Sequence, residues 1–268
     1  MADHASRDWR LVREEARPGP MQMALDEVAA STAAAGGPRT VRVYRWNPGT
    51  LSLGYAQSSD TVDWAACEAA GVAVTRRQTG GGGIYHDRDG DVSYSIVAPA
   101  DELPGDLLAA YHELLDPVFD AFDRLGVSAR LVESERPSVY DPACYLRGLH
   151  PAHDVVVDRP DGVKKVSGNA QYRQRDAVIQ HGSVTHARTT DRHLGVFADP
   201  PDAATFRERV TSVRAVTGAD RAETVAALTG ALREWADADE GEWTDDELAA
   251  ARALAAEKYG ADEWVRRT

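Results

Sequence analysis

The 268-residue sequence predicts an α+β fold: a largely antiparallel central sheet flanked by helices. Three observations predict it. Short segments with period-two alternation crowd residues 41–97 and return over 153–184, as strands do. A single long amphipathic helix, residues 104–125, separates the two groups. The last third is helical, with Asp220–Glu223 and Thr244–Glu247 as capping-box pairs that each open an apolar-periodic stretch. Strands and helices are segregated rather than strictly alternating, which is the α+β pattern.

In chain order, residues 1–19 read as an N-terminal segment ahead of one domain over 20–268. Residues 20–35 read as a helix, with Met21, Ala24, Leu25 and Val28 on one face after Pro18 and Pro20. Val41 to Trp46 alternates as a strand, Asn47-Pro48-Gly49 turns, and Leu51 to Gly54 is a second short strand. Trp64 to Ala70 reads as helix, ended by Gly71. Val72 to Arg77 is a strand that feeds four consecutive glycines, and strands at 84–86 and 92–97 follow. The 104–125 helix carries Leu107, Tyr111, Leu114, Leu115, Val118, Phe122 and Leu125 at helical spacing, closed by Gly126. Residues 153–158 and 163–166 form a predicted hairpin across Pro160-Asp161-Gly162, and 169–184 supply two further strands.

The net charge of −13 excludes a general nucleic-acid or anionic-membrane binder, because phosphate binding needs a basic surface. No apolar run approaches the roughly 20 residues that span a bilayer, and no secretory signal opens the chain, so a cytoplasmic protein is expected. Two cysteines, Cys67 and Cys144, make neither a disulfide framework nor a zinc-finger spacing. Only three lysines stand against 27 arginines, a bias that fits high-GC coding or a salty cytoplasm. Two of the three, Lys164 and Lys165, are adjacent.

Three segments have residue types suited to chemistry. Arg76-Arg77-Gln78-Thr79 leads into Gly80-Gly81-Gly82-Gly83 and then Ile84-Tyr85-His86-Asp87. Four glycines free one stretch of backbone of Cβ atoms and expose N–H donors to an anion. Strand alternation turns Arg76 and Arg77 to opposite faces, so one of them faces the ligand. The run matches neither the P-loop nor the dinucleotide fingerprint. The second segment is Lys164-Lys165-Val166-Ser167-Gly168-Asn169-Ala170-Gln171, where neighbouring lysines also face opposite ways, one solvated and one in a pocket. A lysine near a carboxylate and a phosphate stabilises the charge that builds in nucleotidyl transfer. The third is Gln180-His181-Gly182-Ser183, where glycine within a strand marks close approach of another group. Taken singly, each segment also reads as ordinary structure: a glycine-rich turn, a surface lysine pair, a core histidine.

In order and together, these segments resemble the superfamily of lipoate–protein ligases and octanoyltransferases, which includes the biotin–protein ligases. Met21-Gln22-Met23-Ala24-Leu25-Asp26-Glu27, Tyr44-Arg45-Trp46, Leu51 to Gln57, and the terminal Glu257-Lys258-Tyr259 with Glu263-Trp264 add to the match, which spans roughly residues 20–265. The resemblance, closest to single-domain archaeal-type ligases, implies a biotin/lipoate-ligase-like (class II synthetase-like) catalytic domain over 20–268 with C-terminal helices. It implies ATP and lipoate as substrates, Mg²⁺ with the ATP, and lipoyl-AMP as intermediate. Lipoyl would then pass to a lysine of a lipoyl domain, in a 2-oxoacid dehydrogenase or the glycine-cleavage H protein. Lys165 would contact the acyl carbonyl and the AMP phosphate. Arg77, Gly80, Gly81, Gly82, Gly83, Ile84, Tyr85 and His86 would line the nucleotide region, with Ser167, Gly168, His181 and Gly182 also at the site. Lys164 would be the solvated neighbour, and no metal-binding residues are assigned. The chain has no room for the extra C-terminal domain of many such ligases, so a separate accessory subunit for adenylation is expected.

The leading expectation is therefore an ATP-dependent lipoate–protein ligase. A second reading rests on Cys144-Tyr145, which stands where the cysteine-dependent octanoyltransferases of the superfamily carry their nucleophile. There octanoyl would move from acyl carrier protein through a Cys144 thioester, without ATP. A biotin ligase and a non-catalytic lipoate-binding module are further alternatives. Cys67, in an alanine-rich helix, reads as structural.

Overall fold

The alternating segments pair into two sheets. The computed structural model describes residues 7–268. Its strands are β1 (Trp9–Arg17), β2 (Arg39–Trp46), β3 (Thr50–Leu53), β4 (Ala73–Arg76), β5 (Ile84–His86), β6 (Asp91–Pro99), β7 (Ala129–Leu131), β8 (Asp154–Arg159), β9 (Gly162–Arg173), β10 (Ala177–Thr185) and β11 (Asp239–Glu240). The helices are α1 (Gly19–Ala34), α2 (Trp64–Ala69), α3 (Leu107–Arg124), α4 (Thr190–Gly195), α5 (Ala203–Arg209), α6 (Val213–Thr217), α7 (Arg221–Ala236), α8 (Asp245–Leu254) and α9 (Asp262–Val265).

The large sheet runs β11-β1-β2-β6-β10-β9-β8-β7, and a small sheet runs β4-β3-β5. From β2 to β7 all neighbours are antiparallel. The sequence reading sets residues 1–19 apart from the domain. Residues 1–6 lie outside the described part, but Trp9–Arg17 is a strand of the main sheet, parallel to both β2 and β11. Its period-two signal is weak because charged residues fill its second half.

Alternation sorts the sheet into two faces. Val41 and Val43 of β2 join Tyr94 and Ile96 of β6 in a core covered by α3 and α7. Tyr44 and Trp46 point the other way, into a core shared with α1 and α8. Helix α1 is buried on more than its apolar stripe: Gln22 and Asp26 are also inside. The reason is Arg42, fully buried on β2, which donates to Asp26 Oδ1 at 2.7 Å and to Gln22 Oε1 at 2.8 Å. A buried guanidinium needs such partners. Both capping boxes form as read, Asp220 with Glu223 and Thr244 with Glu247. The predicted 153–166 hairpin is β8–β9, and β9 runs on to Arg173.

A third apolar cluster ties the small sheet to the segment around Tyr145 and Leu146 and to Phe197, Phe206 and Val210. The cavity described next is lined by Ser52, Ile84 and His86 of the small sheet and by Lys165, Gly168, His181 and Gly182 of β9 and β10. Among the described residues, no helix is long and apolar enough to cross a membrane.

Candidate active site

Lys165 is placed by an irregularity in the ladder. The β8–β9 pairing steps from Val155–Ser167 to Val156–Lys165, which leaves Val166 as an extra residue, a β-bulge. Residues three apart on a regular strand face opposite sides. The bulge instead lays the Lys165 side chain across Gly168. A Cβ at Gly168 would stand 3.3 Å from Lys165 Nζ and 3.6 Å from Cys144 Sγ. Lys165 is 2 % exposed. Its ammonium lies 2.5 Å from Asp154 Oδ1, donates to Cys144 O at 3.2 Å and is 3.5 Å from Cys144 Sγ. Burial by itself would strip its proton; Asp154 and Cys144 outweigh that and hold it above the ordinary lysine range. Burial would likewise raise the Asp154 carboxyl, yet Lys165 and His153 hold it well below the usual carboxylate range. Cys144 and Lys165 are thus brought together, and Asp154 is the partner that sequence reading missed. It sits directly across the ladder from Gly168 but eleven residues from Lys165 in sequence, with no local motif to betray it.

Lys164 faces the other way, as alternation requires, but it is not solvated. It is buried and anchored to Asp161 Oδ2 at 2.5 Å and to Arg207 O at 2.8 Å. The solvated role expected for it is corrected: segment 207–210 covers that side of β9.

The second half of the glycine run, Gly82 and Gly83, is buried. Gly83 N–H donates to Pro142 O at 2.7 Å, and Gly83 O accepts from Cys144 N–H at 2.9 Å. A Cβ at Gly82 would come 2.9 Å from Cys144 N, and one at Gly83 would come 2.9 Å from the Phe197 ring. The space left by the missing Cβ atoms is taken by the chain's own Cys144 loop at Gly82 and by Phe197 at Gly83, while Gly80 and Gly81 are exposed and a Cβ at Gly80 would meet nothing within 4 Å. Arg77 is equally committed. Its guanidinium donates to Thr79 Oγ1, Ser52 O, Ser52 Oγ, Gly80 O and Gly82 O, at 2.7–3.4 Å, one partner for each of its five N–H groups. Nothing is left for a phosphate. Arg76, on the opposite face as expected, binds backbone carbonyls of Gly54, Gln57, Trp264, Val265 and Arg267 and so locks the C-terminus to the small sheet.

The cavity has a volume of about 420 Å³. Met23, Tyr44, Trp46, Ile84 and Tyr111 give it an apolar side, and Cys144, Asp154 and Lys165 a charged side. Gly80, Gly81, Gly82, Arg77, His86, Gly168, His181 and Gly182 also line it. Three expected site residues, Gly83, Tyr85 and Ser167, are not among the lining. Tyr85 packs in the third cluster, and Ser167 is buried within β9. His86 is stacked on Trp46 and bonded through both nitrogens, to Ser52 Oγ at 2.9 Å and Asp91 Oδ2 at 3.1 Å. Burial lowers its pKa. His181 is similarly held between Asp26 and Thr79. Gly182 does admit close approach, but of the protein itself: the Tyr94 hydroxyl donates to Asn169 Oδ1 at 2.5 Å across it. Among the described residues, no three His, Cys, Asp or Glu side chains are grouped to hold a metal ion.

A large sheet with helices on both faces and a bulged strand presenting a lysine to a cavity with one apolar side define a protein-lipoylation catalytic fold. The family model of the lipoyl protein ligase A/B catalytic domain matches residues 18–233, and the chain belongs to that family. Within it, the chain is 33 % identical over 96 % of its length to "Octanoyltransferase LipM" of Kyrpidia tusciae, covering 97 % of that protein. It is 32 % identical over 97 % of its length to the protein of that name from Symbiobacterium thermophilum, covering 98 % of it. Among solved structures it is similar to a bipartite lipoate protein ligase from Thermoplasma acidophilum, at a TM-score of 0.79 and 26 % identity, covering 97 % of this chain and 96 % of that one. The chain is an enzyme of the lipoate-ligase and octanoyltransferase family. The full-length relatives overturn the expectation of an ATP-dependent lipoate–protein ligase. The accessory subunit was expected only because of the ligase reading.

Proposed function

We propose that this enzyme is an octanoyltransferase that carries octanoyl from acyl carrier protein to a lysine of a lipoyl domain through a thioester on Cys144. The observation that carries the reading is the 3.5 Å approach of the Lys165 ammonium to Cys144 Sγ. The attacking species is the thiolate, and the ammonium stands within contact of the sulfur that would carry that charge. In the first half-reaction the thiolate attacks the octanoyl carbonyl. The new C–S bond to Cys144 forms, the carrier's C–S bond breaks, and the carrier thiolate takes a proton from water. Lys165 stabilises the oxyanion of the tetrahedral intermediate, because Asp154 keeps it charged and aimed. In the second half-reaction the lipoyl-domain amine attacks the thioester, and Cys144 departs as thiolate. The apolar wall of Met23, Tyr44, Trp46, Ile84 and Tyr111 suits an eight-carbon tail. This chemistry uses neither ATP nor Mg²⁺. A nucleophilic thiol needs a reducing compartment, and a cytoplasmic location goes with the reading.

The test is intact-mass analysis after incubation with octanoyl-acyl carrier protein and no ATP. The expected result is one added octanoyl group, located on Cys144 and absent from Cys144→Ser, which then transfers to a lipoyl domain. An unmodified Cys144 alongside full transfer to the lipoyl domain would overturn the mechanism.

A further inference from the structure

Transfer to a lysine has a requirement that Cys144 and Lys165 do not meet. The incoming amine is almost entirely protonated near neutrality, and an ammonium has no lone pair with which to attack. Some group in the cavity must take its proton. Lys165 is itself a cation held charged by Asp154. Four histidines line the cavity: His86, His150, His153 and His181. His86 and His181 each use both ring nitrogens on protein partners. His150 Nδ1 accepts from Ala152 N–H at 3.1 Å, and its Nε2 lies 3.7 Å from Glu135. His153 differs. Its Nδ1 is 3.6 Å from Asp154 Oδ2, and no protein group meets its Nε2 among the described residues. Its side chain is 35 % exposed and lines the cavity, so the ring is open to both the cavity and solvent.

We infer that His153 is the base that takes the proton of the attacking lysine, a further catalytic residue for the second half-reaction. The inference rests on the octanoyltransferase reading. Asp154 serves both halves of the site. One oxygen holds the Lys165 ammonium, and the other accepts from His150 N–H at 2.7 Å and faces His153 Nδ1. A carboxylate on the Nδ1 side puts the proton there and leaves Nε2 with its lone pair toward the cavity. At 3.6 Å the contact is longer than a hydrogen bond, as catalytic contacts in unliganded sites often are. The step balances as follows. The lysine ammonium gives one proton to His153 Nε2, and the neutral amine attacks the thioester carbonyl, forming C–N. The second amine proton is lost to water as C–S breaks and sulfur leaves as thiolate beside Lys165. The groups facing His153 are the His150 ring, stacked at 5.0 Å, the Asp154 carboxylate and the Tyr111 ring at 5.7 Å. Tyr111 is no competing base: its hydroxyl accepts from Gln171 N–H, and burial raises its pKa.

The experiment separates the two half-reactions. Enzyme loaded with octanoyl on Cys144 is isolated, mixed with a lipoyl domain and quenched over a pH series, for the wild type, His153→Gln and His153→Ala. The inference expects loading to change far less than transfer in both variants. Transfer should fall by about 100-fold or more. The acid limb of the wild-type transfer profile should vanish, and added imidazole should restore part of the His153→Ala rate. Unchanged transfer, or equal losses in loading and transfer, would overturn the inference while the octanoyltransferase reading stands. A wild-type Cys144 that never loads would overturn that reading and this inference with it.

Discussion

Asp154 and Lys165 form an ion pair of 2.5 Å with each side chain 3 % exposed, and the nucleophile candidate Cys144 leans on the same ammonium. Breaking one side of such a pair strands a buried charge. Asp154→Asn should therefore lose about 3–5 kcal/mol of stability, measured by chemical denaturation. Octanoyl loading of Cys144 should slow in the fraction that remains folded. A loss below 1 kcal/mol would mean that water reaches the pair. The pair's own pH window follows from its shifts. The lowered Asp154 contributes stability above the unfolded carboxyl range, about 4, and loses it only in strong acid. The raised Lys165 contributes below the unfolded lysine range, about 10, and loses it only in strong base. Between those limits the contribution should be flat.

Gly168 lets lysine and thiol meet. An alanine there would press on Lys165 Cε at 3.2 Å and Nζ at 3.3 Å. The lysine must give way by a few tenths of an ångström, which moves the ammonium relative to the sulfur. Gly168→Ala is expected to unfold at nearly the wild-type denaturant midpoint yet to load octanoyl about 10-fold or more slowly. Wild-type loading by this variant would show that the spacing is not critical.

Gly182 has a different job. A Cβ there would overlap Asn169 Oδ1 and stand 2.5 Å from a Tyr94 ring carbon. The cost falls on a buried hydrogen bond and on packing inside the sheet. Gly182→Ala should destabilise by about 2–4 kcal/mol, the sum of overpacking and a lost buried hydrogen bond. Thermal or denaturant melts check this. Loss of activity at unchanged stability would return Gly182 to the ligand-binding role first read for it.

Glu247 closes the other end of the sheet. It receives both Arg10 nitrogens at 2.6 and 2.7 Å, the Thr32 hydroxyl and the Thr244 backbone N–H. Burial alone would raise its carboxyl, but those donors bring it down to about 2. A depressed folded pKa contributes stability above the unfolded value, about 4.3, and the contribution disappears as pH falls toward 2. Acid titration of stability should show Glu247→Gln with a shallower slope between those two values than the wild type. Identical slopes would remove Glu247 from the acid transition.

Much of this was legible in the sequence. Helices α3 and α7, the β8–β9 hairpin and both capping boxes follow from periodicity and from local side-chain bonds, which a sequence displays directly. So did the opposed directions of Arg76 and Arg77, and the choice of Lys165 and Cys144 as site candidates, which the fold brings to 3.5 Å of one another. Strand β1 was not legible. Its partners lie some thirty residues on, at Arg39–Trp46, and more than two hundred on, at Asp239 and Glu240, and its burial comes from them.

What the sequence determined by itself is the order of strands and helices, and the residue types from which a lysine–cysteine site is made. Only the tertiary structure decided what those residues touch. It brought Asp154 across the ladder to Lys165, placed His153 behind it, and packed the Cys144 loop against Gly82. It also turned Arg77 from a free cation into a scaffold whose five donors are satisfied within the chain. The physical reason is common to all four. Alternation and capping are read from neighbours in sequence, whereas a charge's partner and a glycine's vacant space depend on which distant backbone folds against them.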